Sequence, residues 1–465
     1  MLMVNGRPML RPRSGKRATH SNHSRRQVMP NANIVLTLDC SDSMRQYSYF
    51  QPAQTDVGTF VNIMNTGDSL GMVGFSDNSW IFFPTSGASQ MVAISGQPVQ
   101  NQAVQAIQSQ RTVNMTNMTA AIASAHGMLA SSAVPRAIVL LSDGIWNDGG
   151  DPLNNLPTDI PIHTIALGPS SGTATLQQIA TRTNAQYHYA PTAWDLADIY
   201  NSIVQTTGVA SVAMNQPQQM QTYSFKQLSV PVTSGNAQAK FSLSWLNTGV
   251  TYTSGTPAGP QINISVRNPS GTLVTPSNVA VGPGFAVLTV PNPVAGNWQL
   301  GLWAGQTGIL DSVAGGFEPS TSAQLKVTFE TGDTVAFRTT VVHNGVPLRD
   351  IRVDAVCESP VVSVQEALKA YAAELASLAG PADLLADPVA RLAILHRQKL
   401  GAVDILPRRQ YPAVTSEISA GVHRGELLLA TVRGSHTVRV TASGQLPDGS
   451  PFQRVARVSM TNEVA

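Results

Sequence analysis

The sequence is poor in charge, in cysteine and in long apolar runs. Asp, Glu, Lys and Arg together make up 12% of its 465 residues, and aromatics 6%. Two cysteines, Cys40 and Cys357, exclude a disulfide scaffold. The lack of any run of 18 or more apolar residues excludes a helical membrane span. What is plentiful is glycine (37) and proline (30), which favours sheets and turns over long charged helices. The hydrophobic share of 42% suffices for buried cores, and the length exceeds what one core supports, so about three domains are expected.

The net charge of +2 conceals a segregation. Residues 1–30 carry seven basic residues, Arg7, Arg11, Arg13, Lys16, Arg17, Arg25 and Arg26, and no acid. Behind these charges there is no apolar segment of the kind a secretory leader needs, and the stretch is too polar to fold alone. It reads as a basic disordered tail. Such an arm can meet nucleic acid, an anionic membrane or an acidic surface of its own chain, but charge runs are mostly solvated and no specific nucleic acid is expected. His20 and His23 within it make only a weak metal pattern. Residues 31–206 invert the balance, with four Arg, no Lys, eleven Asp and no Glu.

This acidic block alternates short apolar strands with helical stretches, the pattern of a doubly wound, mostly parallel α/β sheet. Strands are expected at 34–38, 70–75, 80–83, 137–141, 162–167 and 186–189, and helices at 56–64, 99–107, 120–129, 176–182 and 194–204. The run Ile138-Val139-Leu140-Leu141 is what a strand buried on both faces requires. In such sheets ligands bind beyond the carboxyl ends of the strands. The first strand runs into Asp39-Cys40-Ser41-Asp42-Ser43 and the fourth into Ser142-Asp143-Gly144. A third polar loop, Asn114 to Thr119, precedes a helix. Few oxygen donors, with hydroxyls among carboxylates, suit Mg²⁺ or Mn²⁺, with Ca²⁺ a further hard-ion candidate, better than Zn²⁺.

The order strand-Asp39-x-Ser41-x-Ser43, Thr116-Asn117 and strand-Asp143-Gly144 resembles the metal-ion-dependent adhesion site of von Willebrand factor A domains. The resemblance implies that Ser41, Ser43 and Thr116 ligate the metal directly, that Asp39 and Asp143 act through bound waters, and that the open position takes a carboxylate from a partner protein. Asp42 departs from the family, which usually has Gly there. Thr119 is the alternative to Thr116, which is preferred because it precedes Asn in the loop. Helix capping and turn formation are the ordinary roles of Asp and Ser after strands, but five such residues in three separated loops point to a site.

Other chemistry fares worse. A Mg²⁺ phosphohydrolase of the haloacid-dehalogenase type needs a second Asp where Ser41 stands, and residues 31–206 offer no Lys to hold a phosphoryl group. H-E-x-x-H, G-x-S-x-G, Walker A and C-x-x-C patterns are all missing, so no enzyme is expected. His126, His163 and His188 have no acidic or Cys partner near in sequence and read as packed or surface residues. Trp80, Phe82, Phe83 and Cys357 read as core.

After residue 208 the helical period gives way to short alternating stretches broken by Gly, Pro and Asn. These predict two β-sandwich domains, 209–322 and an immunoglobulin-like 323–465. Strands are expected at 222–228, 240–245, 261–266, 286–290 and 298–303, then at 325–329, 334–342, 351–356, 426–432, 436–442 and 455–460. The domain order resembles the non-enzymatic part of calcium-activated chloride channel regulator proteins. A helical insertion at 363–403 opens with the capping box Ser363-x-x-Glu366 and carries an apolar stripe of Val364, Leu368, Tyr371, Leu375 and Leu378, with a second helix expected from Asp387-Pro388 to about residue 400. That stripe packs on its own sandwich or serves self-association. The sequence therefore predicts a non-enzymatic, metal-dependent protein-binding protein, with a scaffold assembling through residues 363–403 as the alternative.

Overall fold

The computed structural model describes residues 31–132, 135–143, 146–168, 173–319, 323–330, 335–378, 395, 407–428, 432 and 434–462. The basic tail, Gly144 and most of 379–406, including the expected second helix of the insertion, lie outside the described residues.

The first unit is built from β1 (Asn33–Asp39), α1 (Asp42–Gln46), α2 (Phe50–Ile63), β2 (Ser69–Phe75), β3 (Ser79–Phe83), β4 (Val92–Ala93), α3 (Gln97–Gln108), α4 (Met118–Leu129), β5 (Arg136–Ser142), β6 (Ile162–Leu167), α5 (Thr173–Arg182), β7 (Tyr187–Ala190) and α6 (Asp195–Thr206). The sheet order is β3-β2-β1-β5-β6-β7, with β4 beside β2. The strands from β2 to β7 in this order are parallel, whereas β3 and β4 run antiparallel to β2, so the sheet is mixed at one edge.

Alternation along the strands divides two cores. Ile34, Leu36 and Leu38 of β1 and Ala137, Val139 and Leu141 of β5 meet Phe60, Ile63 and Ile203 of α2 and α6. Val35, Ile138 and Leu140 point the other way, toward Ile122 and Leu129 of α4 and Ile179 of α5. Each such side chain, fully buried, contributes roughly 1.5–3 kcal/mol. Phe82 and Phe83 belong to the first core and the half-buried Trp80 packs against it, and Cys357 is buried too. His163 and His188 are buried, while His126 lies at the surface 2.8 Å from Asp159.

Four further sheets follow. One orders Asn278–Gly282, Phe285–Pro291, Gln238–Trp245, Leu310–Glu318 and Ser211–Met220; its companion orders Thr251–Tyr252, Gln261–Arg267, Gly296–Ala304 and Phe225–Val232, with Leu273–Val274 on the side. Residues from both sheets, among them Phe241, Trp245, Trp298 and Leu300, close one core. The third sheet orders Ala323–Glu330, Ala336–His343, Val422–Glu426 and Thr415–Ser419, with Val346–Pro347 on the side, and the fourth orders Arg408–Ala413, Arg352–Pro360, Gly434–Gln445 and Pro451–Asn462. Phe337, Val438, Val440 and Phe452 join these two in a second core.

Two expectations change. A strand lies at Val422–Glu426, ahead of the one placed at 426–432, of which 429–431 lie outside the described residues; the apolar run Leu427-Leu428-Leu429 outweighs the alternation of Val422, His423 and Arg424 in a sequence reading. The first insertion helix splits into Val364–Ala370 and Ala372–Ala376 at Tyr371, which caps one piece and opens the next. Its capping box is present, with both Ser363 and Glu366 satisfying the partner's backbone N–H. Its stripe residues Leu368, Tyr371 and Leu378 gather around Ala367, Leu375 and Leu395 in a small cluster of their own.

Candidate metal site

β1 and β5 are parallel neighbours with Leu38 level with Leu141, so their carboxyl ends deliver Asp39 and Ser142-Asp143 to one edge. The chain leaves β1 for β2 on one side and later enters β5 on the other. The crevice between them is the point where strand order reverses, the place where open α/β sheets bind ligands.

Asp39 is fully buried. Its Oδ1 accepts the Ser41 N–H at 2.9 Å and its Oδ2 accepts the Ser142 hydroxyl at 2.6 Å, which fixes the carboxylate. Burial nevertheless pushes its pKa up to about 6, against the lowering effect of those bonds. The Ser41 and Ser43 hydroxyls stand 3.0 Å apart. Cys40 points into the core beneath, its thiol 3.5 Å from the Leu38 carbonyl that accepts from it. Asp42 turns to Arg45, 3.4 Å away and exposed to solvent.

Backbone bonds lay the third loop against this turn: Val113 N–H donates to Cys40 O at 2.7 Å and Asp42 N–H to Asn114 O at 3.1 Å. Asn114 makes the bend at φ +45°, a conformation Asn tolerates better than most residues. Thr116 is thereby brought, 2% exposed, to the same edge. Its N–H donates to Asn147 Oδ1 at 2.8 Å, and its carbonyl accepts from the N–H groups of Asn147 and Asp148. Its hydroxyl makes no hydrogen bond among the described residues. The Thr119 hydroxyl is occupied, donating to Gly150 O at 3.3 Å. Asp143 is 2% exposed, and its charge adds to burial in raising the Tyr49 phenol.

The five predicted residues thus share one sheet edge, with Asp39 and Asp143 as carboxylates and Ser41, Ser43 and Thr116 as hydroxyls. Among the described residues no three His, Cys, Asp or Glu side chains cluster as a metal cage; the donor set is mixed. Sequence reading did not single out Asp77 or assign Asn117 the role of holding the site in place. Asp77 accepts from Met115 N–H at 2.8 Å and Asn114 Nδ2 at 3.0 Å. Asn117 caps α4 through Ala120 N–H at 2.9 Å, and also donates to Asp77 O. A Cβ at Gly149, φ +74°, would stand 2.0 Å from Asn117 Oδ1. The position of Asp77 just after β2, at the carboxyl edge, was the available signal.

The α/β unit matches the von Willebrand factor type A domain family over residues 33–202. No curated protein matches the chain. Among solved structures, the von Willebrand factor type A protein from Catenulispora acidiphila is 14% identical with a TM-score of 0.35, over 68% of this chain and 63% of its own. Proximal thread matrix protein 1 from the mussel byssus, with a zinc-occupied MIDAS motif, is 17% identical with a TM-score of 0.32, over 42% of this chain and 50% of its own. The von Willebrand factor domain of the type V pili tip protein Mfa5 from Porphyromonas gingivalis is 15% identical with a TM-score of 0.30, over 38% of this chain and 95% of its own. The chain spans about half to two thirds of the length of the first two. Among the described residues no helix of the type A domain or beyond it is long and apolar enough to cross a membrane.

Proposed function

We propose that the protein is a non-enzymatic binding protein whose type A domain captures an acidic group of a partner protein through a divalent cation. The observation that carries this reading is the convergence of three hydroxyls and two buried carboxylates, from three separated loops, at the crevice between β1 and β5. Ser41, Ser43 and Thr116 would hold the ion directly, and Asp39 and Asp143 would orient its waters. Bound there, a hard divalent ion such as Mg²⁺ or Mn²⁺ supplies the positive charge that a partner's carboxylate completes. The donor set fits: among the described residues the Thr116 hydroxyl is uncommitted, the Ser41 and Ser43 hydroxyls bond to each other, and the buried Asp39 carboxylate has no cation beside it. Asp39 is held by Ser41 N–H and Ser142, so it keeps its orientation and excludes alternative geometries.

The test is a calorimetric titration of the full chain with Mg²⁺ and with Mn²⁺, without and with acetate as a stand-in for the partner's carboxylate. Saturable binding, strengthened by acetate and weakened at least about tenfold in Asp39→Ala and Thr116→Ala variants that keep their circular dichroism, is expected. Absence of binding even with acetate would sink the reading.

A further inference from the structure

Between α2 and α6 of the type A domain and the sheet of the first sandwich lies a cavity of about 420 Å³, within the range of small-molecule sites. It uses none of the residues of the metal-site loops. Asp56 of α2 lines it, 1% exposed, and neither of its carboxylate oxygens has a hydrogen-bond partner among the described residues. The hydroxyl of Tyr200, on α6 and close enough to feel the Asp56 charge, is buried and equally without a partner there. Buried polar atoms are nearly always satisfied, so the orphaned Asp56 carboxylate at the cavity wall asks for an occupant.

The walls define its chemistry. Among the described residues no Lys, Arg or His lines the cavity to offset the carboxylate. A second carboxylate, Asp311, lines it as well and accepts from Gln219 Nε2 at 3.0 Å. Trp194, 47% exposed, and the buried Trp245 supply indole rings; the Trp245 N–H is spent on Val250 O, so its ring faces serve as wall. The two indoles with Ala197, Pro217 and Val313 give the wall a large share of carbon beside its polar residues, which suits an organic group better than a bare metal ion. An organic cation matches on every count, with N–H donors for Asp56, a positive charge for two acids, and carbon for the rings. Burial holds the Asp56 carboxyl well above its ordinary range, consistent with a site built without its own counter-charge.

We infer that this interdomain cavity binds an organic cation, with an alkylammonium or guanidinium group seated on Asp56. The cation is either a free small molecule or a Lys or Arg side chain of a protein.

The full chain would be titrated calorimetrically with n-butylammonium, n-butylguanidinium and, as the neutral isostere, n-butanol. Saturable binding of at least one cation is expected, at least about tenfold tighter than butanol and weakened by a similar factor in Asp56→Asn, the loss of one charge-assisted hydrogen bond. Because Asp56→Asn replaces a buried carboxyl by an amide of the same shape, the variant is expected to fold, and its thermal midpoint without ligand checks this. Asp311→Asn, at a carboxylate already bonded to Gln219, should weaken binding less. A capped pentapeptide with a central Lys separates the sources: competition at lower concentration than butylammonium identifies a protein side chain, and its failure beside a bound amine identifies a small molecule. No saturable cation binding, butanol bound as tightly as the amine, or undiminished binding by Asp56→Asn would each overturn the inference.

Discussion

His163 shows how a single buried side chain sets the acid response of the type A domain. It lies on β6, 4% exposed, with its Nδ1 accepting the Gln186 N–H at 3.2 Å, and burial holds its pKa down to about 4 against an ordinary 6.5. The unfolded chain therefore takes up a proton between pH 6.5 and 4 that the folded chain refuses. Stability fully present above pH 6.5 is lost as pH falls toward 4, by up to about 3 kcal/mol for this residue. Asp39, with its pKa raised to about 6, acts in the opposite direction over the same range, so the effect is read as a difference. His163→Gln should flatten the fall in urea midpoint between pH 7 and 4.5 relative to wild type; parallel curves would refute it. At this scale the sequence was informative about the acids and hydroxyls, because motif spacing marks them. It was silent about Asp56, which in sequence is one polar residue inside a helix and becomes exceptional only when α6 and a distant sandwich close over it.

At the scale of elements, the site depends on how one loop is pinned. Gly149 occupies φ +74°, against the Asn117 side chain that caps α4. Gly149→Ala must either strain the backbone or displace Asn117, so a loss of about 1–3 kcal/mol in stability is expected. A fall in divalent-ion affinity through the neighbouring Thr116 should accompany it. Unchanged affinity together with unchanged stability would show that the loop does not position Thr116. The elements of the α/β unit were legible because continuous apolar runs alternate with helical periods. The sandwiches were less so. Ser211–Met220 carries Pro217 and three exposed or half-exposed polar positions, and Leu310–Glu318 carries Gly315-Gly316. Neither shows the alternation that marks a strand, because each lies partly against another module rather than between one core and water.

For the whole molecule, charges buried between modules tie the parts together. Arg457, on the last strand, pairs with Asp198 of α6 at 3.0 Å, and Arg439 reaches the same carboxylate. Arg454 stands 2.9 Å from Glu318, at 0% and 1% side-chain exposure, where the first sandwich hands over to the second. Glu318 also accepts the Thr233 N–H and hydroxyl and Asn236 Nδ2. Glu318→Gln leaves Arg454 buried without its counter-charge, an expected cost of about 3–5 kcal/mol. The double change with Arg454→Met should recover much of it. A double-variant loss equal to the sum of the Glu318→Gln and Arg454→Met losses, measured by urea denaturation, would show that the pair is not coupled. Lys240 performs a similar task from the first sandwich, donating to the carbonyls of Asn62, Ile63 and Met64 at the end of α2.

The last strand, Pro451–Asn462, also covers β7, the outer strand of the type A sheet. Ser459 Oγ accepts the Tyr189 N–H at 3.0 Å, and the Tyr187 hydroxyl is shared by Ser435 and Thr461. That cover arrives late in the life of the chain. Once residue 206 has left the ribosome, about 250 further residues must be added before the strand exists, which at cellular synthesis rates takes roughly 10–50 s. For that interval the newly made sheet presents an open edge to its surroundings. The yield of native protein is then governed by a race between the arrival of its own final strand and the capture of that edge by another chain.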